Sequence, residues 1–205
     1  MQNSLVYFLD GKTYINVTNA CTNSCVFCIR DIKEDVCGSN LRIEGDVSAD
    51  DIIKQFTPEA LSNSEITFCG YGEPLLKLDV VKEVCAFIRQ NAPEVKIRVN
   101  TNGHASFVLK KNVPAELKGL VDCLSISLNA ESAELYNEIC KPNIEGAYFA
   151  MLDFAKQSVE EGFETFMSVV TGFDPNFEPN IEKCTEIVQG IGAKMKIREW
   201  IKEGY

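Results

Sequence analysis

The sequence predicts an α/β chain built as an open, partial (β/α)6 barrel with a short N-terminal hairpin. Three observations carry that reading. Strand-like and helix-like runs alternate along the chain, the pattern of a parallel sheet covered by helices. Four of the strands alternate polar and apolar residues, whereas a strand buried on both faces reads as a nearly continuous apolar run. Four such strands cannot all be edges, so their polar faces are expected to share a lumen and their apolar faces to meet helices. The chain has 205 residues, and a full eight-unit barrel takes about 250. Six units fit this length, either as the partial barrel or as a doubly wound sheet, and the alternation favours the barrel.

The elements follow in order. Residues 5–9 read as a strand, and Asp10-Gly11 is a strong hairpin signal leading into a first central strand at 13–18. Ser48 caps a helix through residue 56, with Asp50 and Asp51 in its first turn. A second central strand takes 65–69. Residues 78–91 form a helix with Val81, Val84, Cys85 and Ile88 on one face, stopped before Pro93. Strands three and four take 95–100 and 123–129. Helices at 132–140 and 145–161 are divided at Pro142. The fifth strand takes 164–171, Pro179 opens a helix to about residue 188, and the sixth strand takes 194–199. Period two assigns Asn16, Thr18, Lys96, Arg98, Asn100, Ser125, Ser127, Asn129, Lys196 and Arg198 to the lumen. It assigns Ile15, Val17, Val95, Ile97, Val99, Leu124, Ile126, Leu128 and Ile197 to the outer face.

Acidic residues number 30 against 20 basic, a net charge of −10. Nucleic-acid binding that works mainly through phosphates needs clustered positive charge, so composition argues against it while leaving room for a local basic pocket. No apolar run reaches the ~18 residues of a membrane span, and residues 1–10 lack a secretory pattern. The expectation is a single cytoplasmic domain, residues 1–205, without a separate C-terminal substrate domain. Nine cysteines, an odd number, do not suit a secreted disulfide framework. They suit a mixture of metal ligands and buried thiols in a reduced compartment.

Cys21, Cys25 and Cys28 form a C-x3-C-x2-C loop directly after the first central strand. Three thiolates on one loop can hold three irons of a four-iron cluster and leave the fourth iron open, as catalytic metal sites keep an open position. The alternatives are a zinc knot or an electron-transfer or redox-sensing module, either of which needs a fourth ligand. Cys37 is the candidate fourth cysteine, and His104 is the single histidine. The loop's position at the C-terminal end of a barrel strand favours a reactive site.

Residues 21–28, Cys-Thr-Asn-Ser-Cys-Val-Phe-Cys, resemble the signature of the radical S-adenosylmethionine (radical SAM) superfamily, whose core is a partial TIM-like barrel. Further motifs keep the order of that family: Gly70-Tyr71-Gly72-Glu73-Pro74 after the second strand, with one position departing from Gly-Gly-Glu, then Thr101-Asn102-Gly103 after the third, and Ser125 to Ala130 closing the fourth. Tyr14 to Asn19 and Phe27-Cys28-Ile29-Arg30, in a chain of this length, are similar to the TatD-associated radical SAM proteins.

The resemblance implies a [4Fe-4S] cluster on Cys21, Cys25 and Cys28 that reductively cleaves S-adenosyl-L-methionine (SAM) to a 5′-deoxyadenosyl radical, which takes hydrogen from a substrate. It implies that Gly70 and Gly72 let the backbone approach the methionine part, that Glu73 meets its ammonium, and that Phe27 lines the adenine site. Asn102, Ser127 and Asn129 are implied to serve the ribose and the carboxylate. Implied partners are an electron donor such as flavodoxin or ferredoxin and a TatD-like protein. The substrate is expected to be a protein or small molecule rather than nucleic acid. With little chain after the sixth strand, only residues 30–47 and 200–205 are expected to cover the barrel's side, so a large substrate, a partner or a second copy is expected to close it. Arg98 and Arg198 are candidates for binding a carboxylate or phosphate. Cys69, Cys85, Cys123 and Cys184 read as packing residues, Cys37 and Cys140 as loop thiols, and His104 as a surface histidine.

Overall fold

The computed structural model describes residues 3–33, 35–36 and 38–200. Seven strands form one sheet: β1 (Val6–Leu9), β2 (Lys12–Ile15), β3 (Glu65–Phe68), β4 (Lys96–Thr101), β5 (Cys123–Ser127), β6 (Glu164–Thr171) and β7 (Lys194–Glu199). They lie side by side in sequence order. β1 pairs antiparallel with β2, and every later pair is parallel. A doubly wound sheet reverses its strand order at a switch point; this one never does, so it is the partial barrel. The turn between β1 and β2 has positive φ at Asp10 (49°) and Gly11 (71°), the two left-handed residues that match the twist of a tight hairpin.

Eight helices connect the strands: α1 (Ala49–Ile53), α2 (Pro58–Ser62), α3 (Leu78–Asn91), α4 (Ala105–Leu109), α5 (Val113–Leu117), α6 (Ala133–Cys140), α7 (Ala147–Glu160) and α8 (Ile181–Ile191). Ser48 caps α1 reciprocally with Asp51. The structure adds α2, α4 and α5, each of five residues. It also moves the start of α8: Pro179 lies before the helix, and the Asn180 side chain caps it by accepting from Lys183 N–H.

The ladder register confirms the two faces. Thr67, Arg98 and Cys123 stand abreast, as do Asn100, Ser125 and Phe166, and then Ser127, Ser168 and Lys196. Between these rows Ile15, Ile66, Ile97, Val99, Leu124 and Ile126 point outward and pack with Val81, Val84, Cys85 and Ile88 of α3 in the main core. Burying a side chain of this size contributes about 1.5–3 kcal/mol, so register and helix face fix each other. Ile197 departs from expectation. It is 54% exposed, because β7 is the last described strand and no described helix follows to cover it. A second small core, Tyr7, Leu9, Val36, Leu41 and Tyr71, seats Val36 and Leu41 against the hairpin.

Candidate active site

The three cysteines lie on the loop leaving β2, at the end of the barrel where all the parallel strands finish. The C-terminal turn of α6 holds this loop. Ser24 N–H donates to Cys140 C=O (2.9 Å) and Val26 N–H to Ile139 C=O (2.8 Å), while Asn143 N–H donates to Thr22 C=O (2.9 Å). The last carbonyls of a helix have no partner within it; here the cysteine loop supplies one.

Beneath the loop sits a buried polar network. Asn102 Nδ2 donates to Thr22 Oγ1 (2.8 Å) and to Cys21 Sγ (3.7 Å). Thr22 Oγ1 lies 2.7 Å from His104 Nδ1, and His104 Nε2 lies 3.0 Å from the Tyr136 hydroxyl, which accepts from Asn23 Nδ2 (3.1 Å). His104 is fully buried rather than on the surface, and burial pushes its pKa down to about 4. The neutral ring donates from one nitrogen and accepts at the other, so both hydroxyls are partnered in either tautomer. Cys140 is buried behind the loop, within hydrogen-bonding reach of Cys25. That contact first, then burial, raises the Cys25 pKa, while burial raises Cys21 to about 11 and also raises Cys28.

Glu73 is 3% exposed. Its carboxylate accepts from Thr101 Oγ1 (2.7 Å), Asn102 N–H (2.6 Å) and Leu75 N–H (3.1 Å). Burial nevertheless lifts its pKa to about 7, and no cation pairs with it among the described residues. The glycines beside it serve the protein's own packing. A Cβ on Gly72 would stand 2.2 Å from Thr18 O, and one on Gly70 would stand 2.0 Å from Asn16 Oδ1. Their bareness lets β3's exit pass against the chain entering the cysteine loop, a different reason from the approach to a ligand that the sequence suggested.

These parts surround one cavity of about 290 Å³, lined by Cys21, Cys25 and Cys28, by Phe27, Gly70, Gly72, Glu73 and Asn102, and by Ser127 and Asn129 on the far side. The three cluster cysteines and all seven residues implied for SAM meet there, and Arg198 joins them, whereas Arg98 does not line the cavity. Phe27 stacks at a tilt on Phe173 (centroids 4.9 Å apart). Asn129, with φ of 60°, donates through Nδ2 to Cys140 Sγ (3.5 Å). Cys37 lies outside the described residues.

A model of the radical SAM superfamily matches residues 15–183. The chain belongs to the radical SAM superfamily. Members of this family use a [4Fe-4S] cluster and SAM. A probable GTP 3′,8-cyclase of Halobacterium salinarum is 22% identical over 193 residues, which are 92% of this chain and 50% of that protein. The chain thus spans about half the length of the curated relatives it matches. Similar solved structures include a radical SAM methyltransferase from Sphaerobacter thermophilus (TM-score 0.61, 16% identity, 95% of this chain and 68% of that one). Streptococcus suis SuiB bound to precursor peptide SuiA gives TM-score 0.66 at 16% identity over 92% and 39%, and anSMEcpe with bound AdoMet gives 0.65 at 14% over 92% and 50%. At these identities the likeness shows the fold.

The donor set suits the radical SAM cofactors. Among the described residues no three His, Cys, Asp or Glu side chains converge on a single metal ion, and a four-iron cluster asks for something else, one thiolate on each of three irons. Glu73 is a buried carboxylate awaiting a cation. Asn23 and Asn100, both on the cavity wall, each bury a side-chain oxygen that has no donor, at a cost of about 1–3 kcal/mol apiece unless a ligand supplies one.

Asn100, placed on the lumen face by its alternation but not named as a site residue, lines the cavity, as does Trp200, and Cys69 lines it too rather than packing in the core. Cys69 and Asn100 continue the lumen-facing rows, so period two carried the signal for both. Trp200, the single tryptophan, donates its N–H to Phe27 C=O (3.2 Å) and ties the end of β7 to the cysteine loop. Among the described helices none is long and apolar enough to cross a membrane.

Proposed function

We propose that the chain is a radical SAM enzyme in which Cys21, Cys25 and Cys28 hold the [4Fe-4S] cluster and Glu73 receives the ammonium of SAM. Bound together, cluster and SAM supply a reductive carbon–sulfur cleavage that yields methionine and a 5′-deoxyadenosyl radical able to take hydrogen from a substrate. Glu73 carries the reading: a carboxylate oriented by three donors, without a cation of its own among the described residues, shares a cavity with three cysteines of one loop. Asn102 orients the Cys21 sulfur and, through its backbone N–H, Glu73, so one residue sets the position of a cluster ligand and of a SAM contact. Phe27 offers an aromatic face to adenine. Ser127 offers a hydroxyl, and Asn129, whose side-chain Nδ2 donates to Cys140 Sγ, offers its side-chain carbonyl to the ribose.

The motifs around residues 14–19 and 27–30 support placement with the TatD-associated radical SAM proteins, and hence a TatD-like partner. Reduction of the cluster calls for a donor such as flavodoxin or ferredoxin. The net charge of −10 supports a protein or small-molecule substrate over nucleic acid, and the thiol-rich composition supports the cytoplasm. In this reading residues 1–205 fold as one domain. Anaerobic reconstitution with iron and sulfide, reduction, and addition of SAM are expected to give 5′-deoxyadenosine, detected by mass spectrometry. Cys25→Ala is expected to give none. A wild type with an assembled, reducible cluster that does not bind SAM would contradict the reading.

A further inference from the structure

The lumen of this acidic chain is basic. Following the ladder register across the sheet, its inner face carries Lys12, Lys96, Arg98, Lys194, Lys196 and Arg198 against Glu65 and Glu164. Both carboxylates are engaged. Glu164 is shared by Lys96 (2.5 Å) and Lys194 (2.8 Å). Glu65 stands 3.7 Å from Arg98, whose guanidinium also lies 5.1 Å from the centroid of the Phe166 ring.

Lys196 and Arg198, further along β7 toward the cysteine end, meet no carboxylate at ion-pair distance among the described residues. Arg198 lines the same cavity as the cysteines and Glu73; Glu199, also on that wall, does not pair with it. Lys196 is exposed to solvent on one side; its partial burial, then the cations Arg98, Arg198 and Lys12, lower its pKa, against a smaller opposing pull from Glu65. Acids outnumber bases in the sequence by 30 to 20, yet no carboxylate among the described residues pairs with either side chain. Two like charges held side by side on one strand repel, and an anion arriving between them relieves that repulsion.

We propose that Lys196 and Arg198 form an oxyanion subsite that receives a phosphate or carboxylate group of the substrate. The guanidinium supplies parallel N–H donors and the ammonium a compact point charge, the pairing that oxyanions of either kind accept. Calling the ligand the substrate rests on the radical SAM reading above; the anion site itself rests on the register and the charges.

Isothermal titration calorimetry of the cluster-loaded protein with inorganic pyrophosphate, and separately with malonate, tests this. At least one is expected to bind, and the source follows from which: pyrophosphate for a phosphoryl group, malonate for a carboxylate, both for a site that reads only the oxyanion. A K196Q/R198Q variant is expected to weaken that binding by about tenfold or more while leaving SAM affinity within about twofold. Lys156→Gln, on the exposed face of α7, is expected to change neither. Circular dichroism shows whether the variant folds, and Arg198→Lys, which keeps the charge, is expected to retain part of the binding. If neither anion binds, if the folded double variant binds as tightly as the wild type, or if it loses SAM affinity instead, the subsite is overturned. Anion binding through these two residues in a protein whose assembled cluster does not bind SAM would overturn the radical SAM reading and leave the anion site standing.

Discussion

The wall built from β2, β3 and β4 and the wall built from β6 and β7 face the same cavity on opposite terms. On the first, Glu73 takes three donors, Asn102 bonds Thr22 and Cys21, and His104 is fully buried between two hydroxyls. On the second, Lys196 and Arg198 have no carboxylate partner among the described residues, Ile197 is 54% exposed, and no other described strand pairs with the outer edge of β7. A buried, densely bonded polar network holds one geometry, because a shift would leave further groups unpaired in a low-dielectric interior. Exposed, unpaired cations adapt to what arrives. The fixed wall therefore suits a cofactor that binds the same way in every turnover, and the adaptable wall suits the molecule that changes.

Substitutions that treat the two walls alike should have unequal effects. The largest loss of stability is expected for Gly72→Ala, whose Cβ would meet the carbonyl of Thr18 at 2.2 Å; neither backbone segment can yield, and the expected cost is about 3–5 kcal/mol in urea unfolding of the metal-free protein. Ile97→Ala, on a side chain with no exposure, is expected to cost about 2–5 kcal/mol. His104→Ala removes one partner each from the hydroxyls of Thr22 and Tyr136, which keep Asn102 and Asn23 as donors, for a cost of about 1–3 kcal/mol. It should also lower iron retention after reconstitution, since Thr22 directly follows Cys21 in the cysteine loop.

Glu73 gives the comparison a pH axis. Its folded-state pKa, about 7, lies above the unfolded value of about 4.3, so the native state holds a proton that the unfolded state has released. Its contribution to stability is therefore full below the unfolded value and is lost as pH rises to about 7. Glu73→Gln is expected to flatten that slope, so the difference in urea midpoint between wild type and variant should change between pH 5 and pH 8. SAM, by bringing a cation to the ionised carboxylate, should stabilise the wild type more at pH 8 than at pH 5. The smallest effect is expected on the other wall: Ile197→Ala should stay within about 0.5 kcal/mol. A loss there as large as that of Ile97→Ala would mean that β7 is covered, and the contrast between the walls would fail.

Much of this was legible in the residues. α3, β6 and β7 lie where their periodicity put them, because long patterned segments report their own buried face. The inner and outer faces followed from alternation in four strands, β2, β4, β5 and β7. The short helices α2, α4 and α5 were not legible, since five residues hold little more than one turn of periodicity and their stability comes from packing. His104 followed an Asn-Gly turn and looked exposed; its burial depends on Thr22 and Tyr136, which are 82 and 32 residues away in sequence. Gly70 and Gly72 were legible as necessary glycines, but their neighbours, Asn16 and Thr18, come from another strand. The three-cysteine loop was visible from spacing, while the α6 carbonyls that hold it were not.

The claim that the cysteines and Glu73 share one working cavity is tested most directly by electron paramagnetic resonance of the reduced, reconstituted protein, recorded with and without SAM. The account predicts a [4Fe-4S] signal whose g-values shift when SAM is added to the wild type and shift only at much higher SAM concentration in Glu73→Gln. A four-iron signal that SAM leaves unchanged in the wild type at saturating concentration would contradict it.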